Sequence, residues 1–186
     1  MMSNEIVVHV IRVLEQLHVP YMLVGSYSSN TYGQARSTQD ADFVIELGER
    51  SVAELGRALG NQYTIDPQSL VEFNTMTTRY VAQHVSSAFK IEFFLLSGDE
   101  FDKSRFERRV RIPFLDGQAW LPRPEDVVVM KLRWSMRAGR QKDQLDAANV
   151  LAAQRETLDM DYIRNWCDKH GSRHLLEEIL AKIPQT

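Results

Sequence analysis

The apolar positions change their period along the chain. Ile6, Val10, Val13, Leu14 and Leu17 recur on one helical face, which predicts a helix over residues 4–18 with Asn4 as its cap and Pro20 as its stop. Residues 21–24 (YMLV) read as a short buried strand. A polar, small-residue stretch of fifteen residues follows, GSYSSNTYGQARSTQ, with no core pattern of its own. A loop of that length is often functional. Residues 40–47 then alternate, with Ala41, Phe43, Ile45 and Leu47 on one face of a strand. Residues 49–59 form an amphipathic helix ended by Gly60. Weaker strands are predicted at 63–65 and 77–84, and a strong one at 89–96. Residues 101–106 make a short helical turn, and 109–114 and 118–121 a hairpin across Asp116-Gly117. From Pro124 onward helical periodicity dominates, with helices at 125–137, 142–153, 161–169 and 173–183. The pattern therefore divides an α/β core over residues 1–122 from a C-terminal helical subdomain over 123–186, the two forming one compact unit.

Composition narrows the class. Over 186 residues, 44% are apolar and 25% charged, which is ordinary globular usage and excludes disorder, collagen-like repeats and a coiled-coil rod. The single cysteine, Cys167, excludes an internal disulfide and a cysteine zinc site. A net charge of −3 argues against a whole-surface grip on nucleic acid. Apolar runs stop at about four residues, far short of the roughly 20 needed to cross a bilayer. The N-terminus has an acidic residue where a signal peptide carries a positive one. A cytoplasmic location is the expectation. The charge is uneven: residues 99–143 hold 11 Lys or Arg against 8 Asp or Glu, while the remainder holds 11 against 17. A basic segment facing an acidic one suits a polyanion bridged by metal ions; a solvated face is the simpler alternative.

The chemistry concentrates in three places. Asp40 and Asp42 are two apart on a strand, so both carboxylates point to one face. A hard divalent cation such as Mg²⁺ or Mn²⁺ would relieve their repulsion and accept substrate phosphates in its shell. Gly25-Ser26 directly follows a strand, where glycine lets backbone N–H groups approach an anion and serine adds a donor. Arg36 and Thr38 precede the carboxylates and are placed to reach a phosphate or to fix the loop. Glu92 shares a face with Phe94 and Leu96, where an ionised carboxylate is costly unless paired or metal-bound. It is read either as a third site carboxylate or as an edge-strand glutamate paired with Lys90.

Gly-Ser, a spacer, Asp-x-Asp and a later strand carboxylate together resemble the signature of the DNA polymerase β-like nucleotidyltransferase superfamily. Pro124-Glu-Asp-Val-Val-Val-Met-Lys-Leu-Arg-Trp134 and Arg140-Gln-Lys-Asp-Gln-Leu-Asp146 resemble the helical part of its small bacterial branch, which includes abortive-infection toxin–antitoxin nucleotidyltransferases. The resemblance covers residues 21–151. It implies a small mixed sheet flanked by helices, and transfer of a nucleoside monophosphate from a triphosphate to an acceptor hydroxyl with release of pyrophosphate. It assigns Mg²⁺ or Mn²⁺ to Asp40 and Asp42. Catalysis falls to Asp40, Asp42 and Glu92. Phosphate and nucleotide binding falls to Gly25, Ser26, Arg36, Lys131, Arg140 and Asp143. The superfamily usually has aspartate where this chain has Glu92, whose carboxylate sits about 1.5 Å further out, and the toxin branch does not always keep the third carboxylate. The acceptor implied is an RNA 3′ end, a protein or a small molecule, and a cognate toxin or antitoxin is a candidate partner. The alternative is a catalytically silent nucleotide-binding or toxin–antitoxin partner protein of the same fold; a metal-dependent phosphohydrolase lacks its His-Asp cluster. His170 and His174, four apart on a predicted helix, are read as surface or capping residues. Trp120, Trp134 and Trp166 are read as packing residues, and Asp146 as a site acid or a structural partner of Lys142 or Arg140.

Overall fold

A computed structural model describes residues 3–66, 68–73 and 76–183. The strands are β1 (Tyr21–Val24), β2 (Asp40–Ile45), β3 (Tyr63–Ile65), β4 (Leu70–Glu72), β5 (Thr77–His84), β6 (Lys90–Leu95), β7 (Val110–Phe114) and β8 (Gly117–Leu121). The helices are α1 (Ser3–Gln16), α2 (Gly25–Tyr32), α3 (Val52–Leu59), α4 (Glu100–Glu107), α5 (Pro124–Ala138), α6 (Gln141–Ala153), α7 (Met160–His170) and α8 (Arg173–Lys182).

The main sheet is mixed and runs β1-β2-β6-β5-β3, with β4 on the edge of β5. Only β2 and β6 are parallel; the other pairs are antiparallel. Alternation assigns the two faces. Tyr21, Leu23, Ala41, Phe43, Ile45, Ile91 and Phe93 join Ile6, Val10, Leu14, Leu55 and Leu59 of α1 and α3 in one core. Met22, Val24, Val44 and Phe94 point to the opposite face, where they pack with Phe106 and meet Trp134. A further core fills the helical part, from Phe101 through Val128 and Leu132 to Val150, Ile163 and Leu176. The polar face of β2 and β6 thus opens toward the helices α5 and α6. Among the described residues no helix is long and apolar enough to cross a membrane.

Several local expectations change. The first eight residues of the polar stretch are helical, forming α2. Their hydroxyls bond back along the helix, Ser28 to the Gly25 carbonyl at 3.0 Å and Thr31 to that of Tyr27 at 2.9 Å, and tertiary packing overrides their weak propensity. Asn4 lies inside α1 and accepts a hydrogen bond from the Tyr27 hydroxyl instead of capping. α3 starts three residues late because Ser51 and Glu54 close a capping box. The hairpin turns on Leu115-Asp116, not Asp116-Gly117: Phe114 pairs with Gly117, and Leu115 takes a positive φ of 49°. Strand β4 is an addition, three residues too short and too exposed to leave a pattern.

Candidate active site

The site begins where β1 becomes α2. Val24 is the Cα partner of Asp42, so the next residue, Gly25, lies against the Asp42 carboxylate. Gly25 has φ +63°, and a Cβ there would overlap the Asp42 carboxylate outright. Glycine is required twice, for its backbone and for its bareness. No side chain caps the start of α2, so its first-turn N–H groups are left for water or an anion. The Ser26 hydroxyl oxygen accepts from Arg36 Nη2 at 3.0 Å, which leaves its own proton for another acceptor.

On β2, Asp40 and Asp42 share the face read from the sequence. Thr38 donates to Asp40 Oδ1 at 2.8 Å. Burial, reinforced by the negative charges of Asp40 and Glu92, raises the Asp42 carboxyl to a pKa of about 7; Lys131 and Lys142 counter it in part. Next across the sheet, Glu92 is the parallel-strand partner of Asp42. It is paired with Arg79 on β5, whose Nη1 donates to Glu92 Oε2 at 2.9 Å; the pairing with Lys90 does not occur, because Arg79 lies diagonally across on the same face and reaches the carboxylate first. β6 is also an interior strand, so Glu92 is not an edge residue.

The helices close the other side. Lys131 of α5 donates to Asp143 Oδ1 at 3.0 Å and to Asp146 Oδ2 at 2.8 Å, both on α6. Arg36 grips Asp146 with Nε at 2.9 Å and Nη2 at 2.8 Å, and Ser29 adds a bond at 3.3 Å. These cations hold the Asp146 carboxyl down at a pKa of about 2 against the opposing effect of burial. Asp146 is therefore paired, with Arg36 and Lys131 rather than with Lys142 or Arg140. Asp143 is buried, and its Oδ2 has no hydrogen-bond partner. Arg140 begins α6 with its guanidinium 5.2 Å from the Trp134 ring centroid.

Gly25, Ser26, Asp40, Asp42, Glu92, Lys131, Arg140 and Asp143 line one cavity of about 320 Å³, within the range of small-molecule sites. Arg36 does not line it and stands behind Ser26, facing Asp146. Among the described residues no three acidic, histidine or cysteine groups gather as a metal cage. Asp40 and Asp42 offer two carboxylates of the oxygen type that Mg²⁺ takes, and phosphates and waters are its usual remaining ligands. His170 and His174 do not share a helix, because Gly171 at φ +74° ends α7 between them. Trp166 is buried in the helical core, whereas Trp134 meets Phe94 edge to face and lines the cavity. Sequence reasoning missed Arg79, Thr77 and Glu72, which line the cavity from β5 and β4. Only the pairing register brings them there.

No protein-family model matches the chain, and no curated protein matches it in sequence. Solved structures do. The antibiotic-resistance factor ANT(2″)-Ia, in a complex with adenylyl-2″-tobramycin, superimposes with a TM-score of 0.64 at 9% identity over 94% of this chain and 99% of that one. Its solution structure gives 0.62 at 9% identity over 94% of each chain. An antigenic nucleotidyltransferase-like protein from Paracoccidioides brasiliensis gives 0.54 at 15% identity over 96% and 92%. The likeness spans the α/β core and the C-terminal helices together, and the chain has the nucleotidyltransferase fold.

Proposed function

We propose that the chain is a metal-dependent nucleotidyltransferase that moves a nucleoside monophosphate from a triphosphate to an acceptor hydroxyl. The observation that carries this reading is the contact of Gly25 with the Asp42 carboxylate, which places a bare turn and a helix N-terminus beside a paired-carboxylate face. Strand order supports one direction for the reaction. The Gly25-Ser26 turn flanks Asp40 and Asp42 on the β1 side, and Glu92 flanks them on the β6 side. The triphosphate then lies toward Ser26, Lys131 and Arg140, and the acceptor toward Glu92. Asp40 and Asp42 would hold Mg²⁺ or Mn²⁺, which neutralises phosphate charge and aligns the transferring group. The raised pKa of Asp42 favours such a role, since a cation restores the charge that burial resists. Ser26 donates its free hydroxyl proton to a phosphate oxygen. Lys131 shifts between the α6 carboxylates and the phosphates, and Asp143, which lines the cavity beside it, holds the lysine toward the nucleotide. Glu92 takes the proton of the acceptor hydroxyl.

A small hydroxyl-bearing molecule is the acceptor we favour, by likeness to the structure that contains adenylyl-2″-tobramycin. An RNA end or a protein hydroxyl is the remaining option, and a cognate toxin–antitoxin partner would bind outside the cavity. The test is incorporation of each of four α-³²P nucleotides into extract fractions with Mg²⁺. Label transfer that is lost in Asp40→Asn and Asp42→Asn supports the reading. A second reading, nucleotide binding without turnover, is favoured by one observation, the engagement of Glu92 with Arg79. Metal-dependent triphosphate binding with no label transferred from any nucleotide would select it.

A further inference from the structure

Glu92 is adjacent to Asp42 in the sheet, yet it does not join the carboxylate pair. The two are Cα partners on parallel strands, with side chains on the same face. Strands in such a pair lie about 4.8 Å apart, well within reach of a shared cation for a side chain as long as glutamate. Nevertheless no third carboxylate clusters with Asp40 and Asp42 among the described residues. On the far side Arg79 Nη1 donates to Glu92 Oε2 at 2.9 Å, while the Asp42 carboxylate lies against Gly25 on the β1 side. Arg79 is the Cα partner of Phe94, and its guanidinium stands 6.0 Å from the Phe94 ring centroid. It therefore reaches Glu92 diagonally, from the side of the cavity opposite the Gly25-Ser26 turn. Oε1 of Glu92 is left without a protein partner among the described residues.

We infer that Arg79 is a positioning residue that keeps Glu92 out of the Asp40–Asp42 cation site and commits it to the acceptor side. The inference rests on the nucleotidyltransferase reading for the metal site and deepens it by dividing the three carboxylates into a metal pair and a base. Aspartate at position 92 would be too short to be shared with Arg79 in this way. Glutamate with its arginine leaves Oε1 available to an acceptor hydroxyl in the cavity. In the transfer step the acceptor O–H bond breaks and its proton goes to Oε1. The acceptor oxygen bonds to the α-phosphorus, and the bond from that phosphorus to the leaving pyrophosphate breaks. Because Oε2 remains bonded to Arg79, the protonated acid stays in place.

The experiment uses Mn²⁺ alone as probe, so that it does not depend on finding the acceptor. Mn²⁺ is titrated into the wild type, Arg79→Met, Arg79→Lys, Glu92→Gln and Arg79→Met/Glu92→Gln, each first checked by its thermal melt. Releasing Glu92 adds a ligand to the pair, so Arg79→Met should bind Mn²⁺ about tenfold more tightly, the gain of roughly one favourable contact at 1.4 kcal/mol per decade. In the Glu92→Gln background the same change should gain less than about threefold, the share due to losing a nearby cation. Arg79→Lys should stay near the wild type. Unchanged or weaker Mn²⁺ binding in Arg79→Met, or an equal gain in both backgrounds, overturns the role of Arg79. The metal reading is judged separately: it fails if Asp40→Asn/Asp42→Asn binds Mn²⁺ like the wild type, and absence of Mn²⁺ binding in every variant overturns both.

Discussion

Replacing Asp146 by asparagine removes one negative charge from a junction of four donated hydrogen bonds. Two come from Arg36, one from Lys131 and one from Ser29, so three separate segments meet at this carboxylate. The carboxyl moves from a pKa of 3.8 to about 2 on folding. At 1.36 kcal/mol per pH unit, that difference is worth about 2 kcal/mol. Breaking a buried ion pair from one side costs roughly 3–5 kcal/mol when the remaining charge is trapped. Here Arg36 is 32% exposed and can be rehydrated, and Lys131 keeps Asp143, so the lower figure applies. Asp146→Asn should therefore lose about 2 kcal/mol at pH 7, which for a chain of this length is about 4–8 °C in melting temperature. The sign follows from the lowered folded pKa. The contribution is complete well above the unfolded value of 3.8 and fades as pH falls toward 2. Urea unfolding of both proteins at pH 7, 5 and 3.5 reads it directly: the gap should be flat from 7 to 5 and narrower at 3.5. A gap below about 0.5 kcal/mol at pH 7, the size of a neutral surface change, or one that does not narrow at pH 3.5, would refute the assignment of Asp146 as the ionised centre of the junction.

Gly25→Ala should lose both stability and triphosphate binding. The left-handed backbone alone costs about 1–2 kcal/mol, and the added methyl displaces the Asp42 carboxylate; a variant that melts within about 2 °C of wild type and binds normally would contradict the close approach. Lys131→Ala should lower triphosphate affinity by about 1.5–3 kcal/mol and also lower the melting temperature, because it strands Asp143 and Asp146. Weakened binding with an unmoved melt would mean that the lysine leaves the α6 carboxylates free in solution. In chelator at pH 8, Asp42→Asn should melt higher than the wild type, since burial and two neighbouring carboxylates resist its charge. A lower melt there, with Mg²⁺ absent, would show that ionised Asp42 is not under strain.

The sequence alone determined the elements whose pattern is local. Alternation over Asp40–Ile45 assigned Ala41, Phe43 and Ile45 to the core and both aspartates to the other face, because a strand repeats every two residues. The same rule placed Glu92 and Phe94 together. The helices after Pro124 were legible because 3.6-residue periodicity runs for ten residues or more in each. Gly25-Ser26 was legible as a bare turn, though not the reason for the bareness, which is the Asp42 carboxylate on the neighbouring strand. Helix α2 was hidden, since its Ser, Asn and Thr residues favour loops until packing against α5 and α6 decides otherwise. The partners of the charged residues were hidden as well. Glu92 meets Arg79 through a strand register, and Asp146 meets Arg36 across 110 positions of sequence. Spacing along a chain carries no information about which segments fold side by side. The chemistry of each group can thus be read from its residue type and its face, while its partner, its charge state and its freedom to act are decided only when the sheet and the helices close around the same cavity.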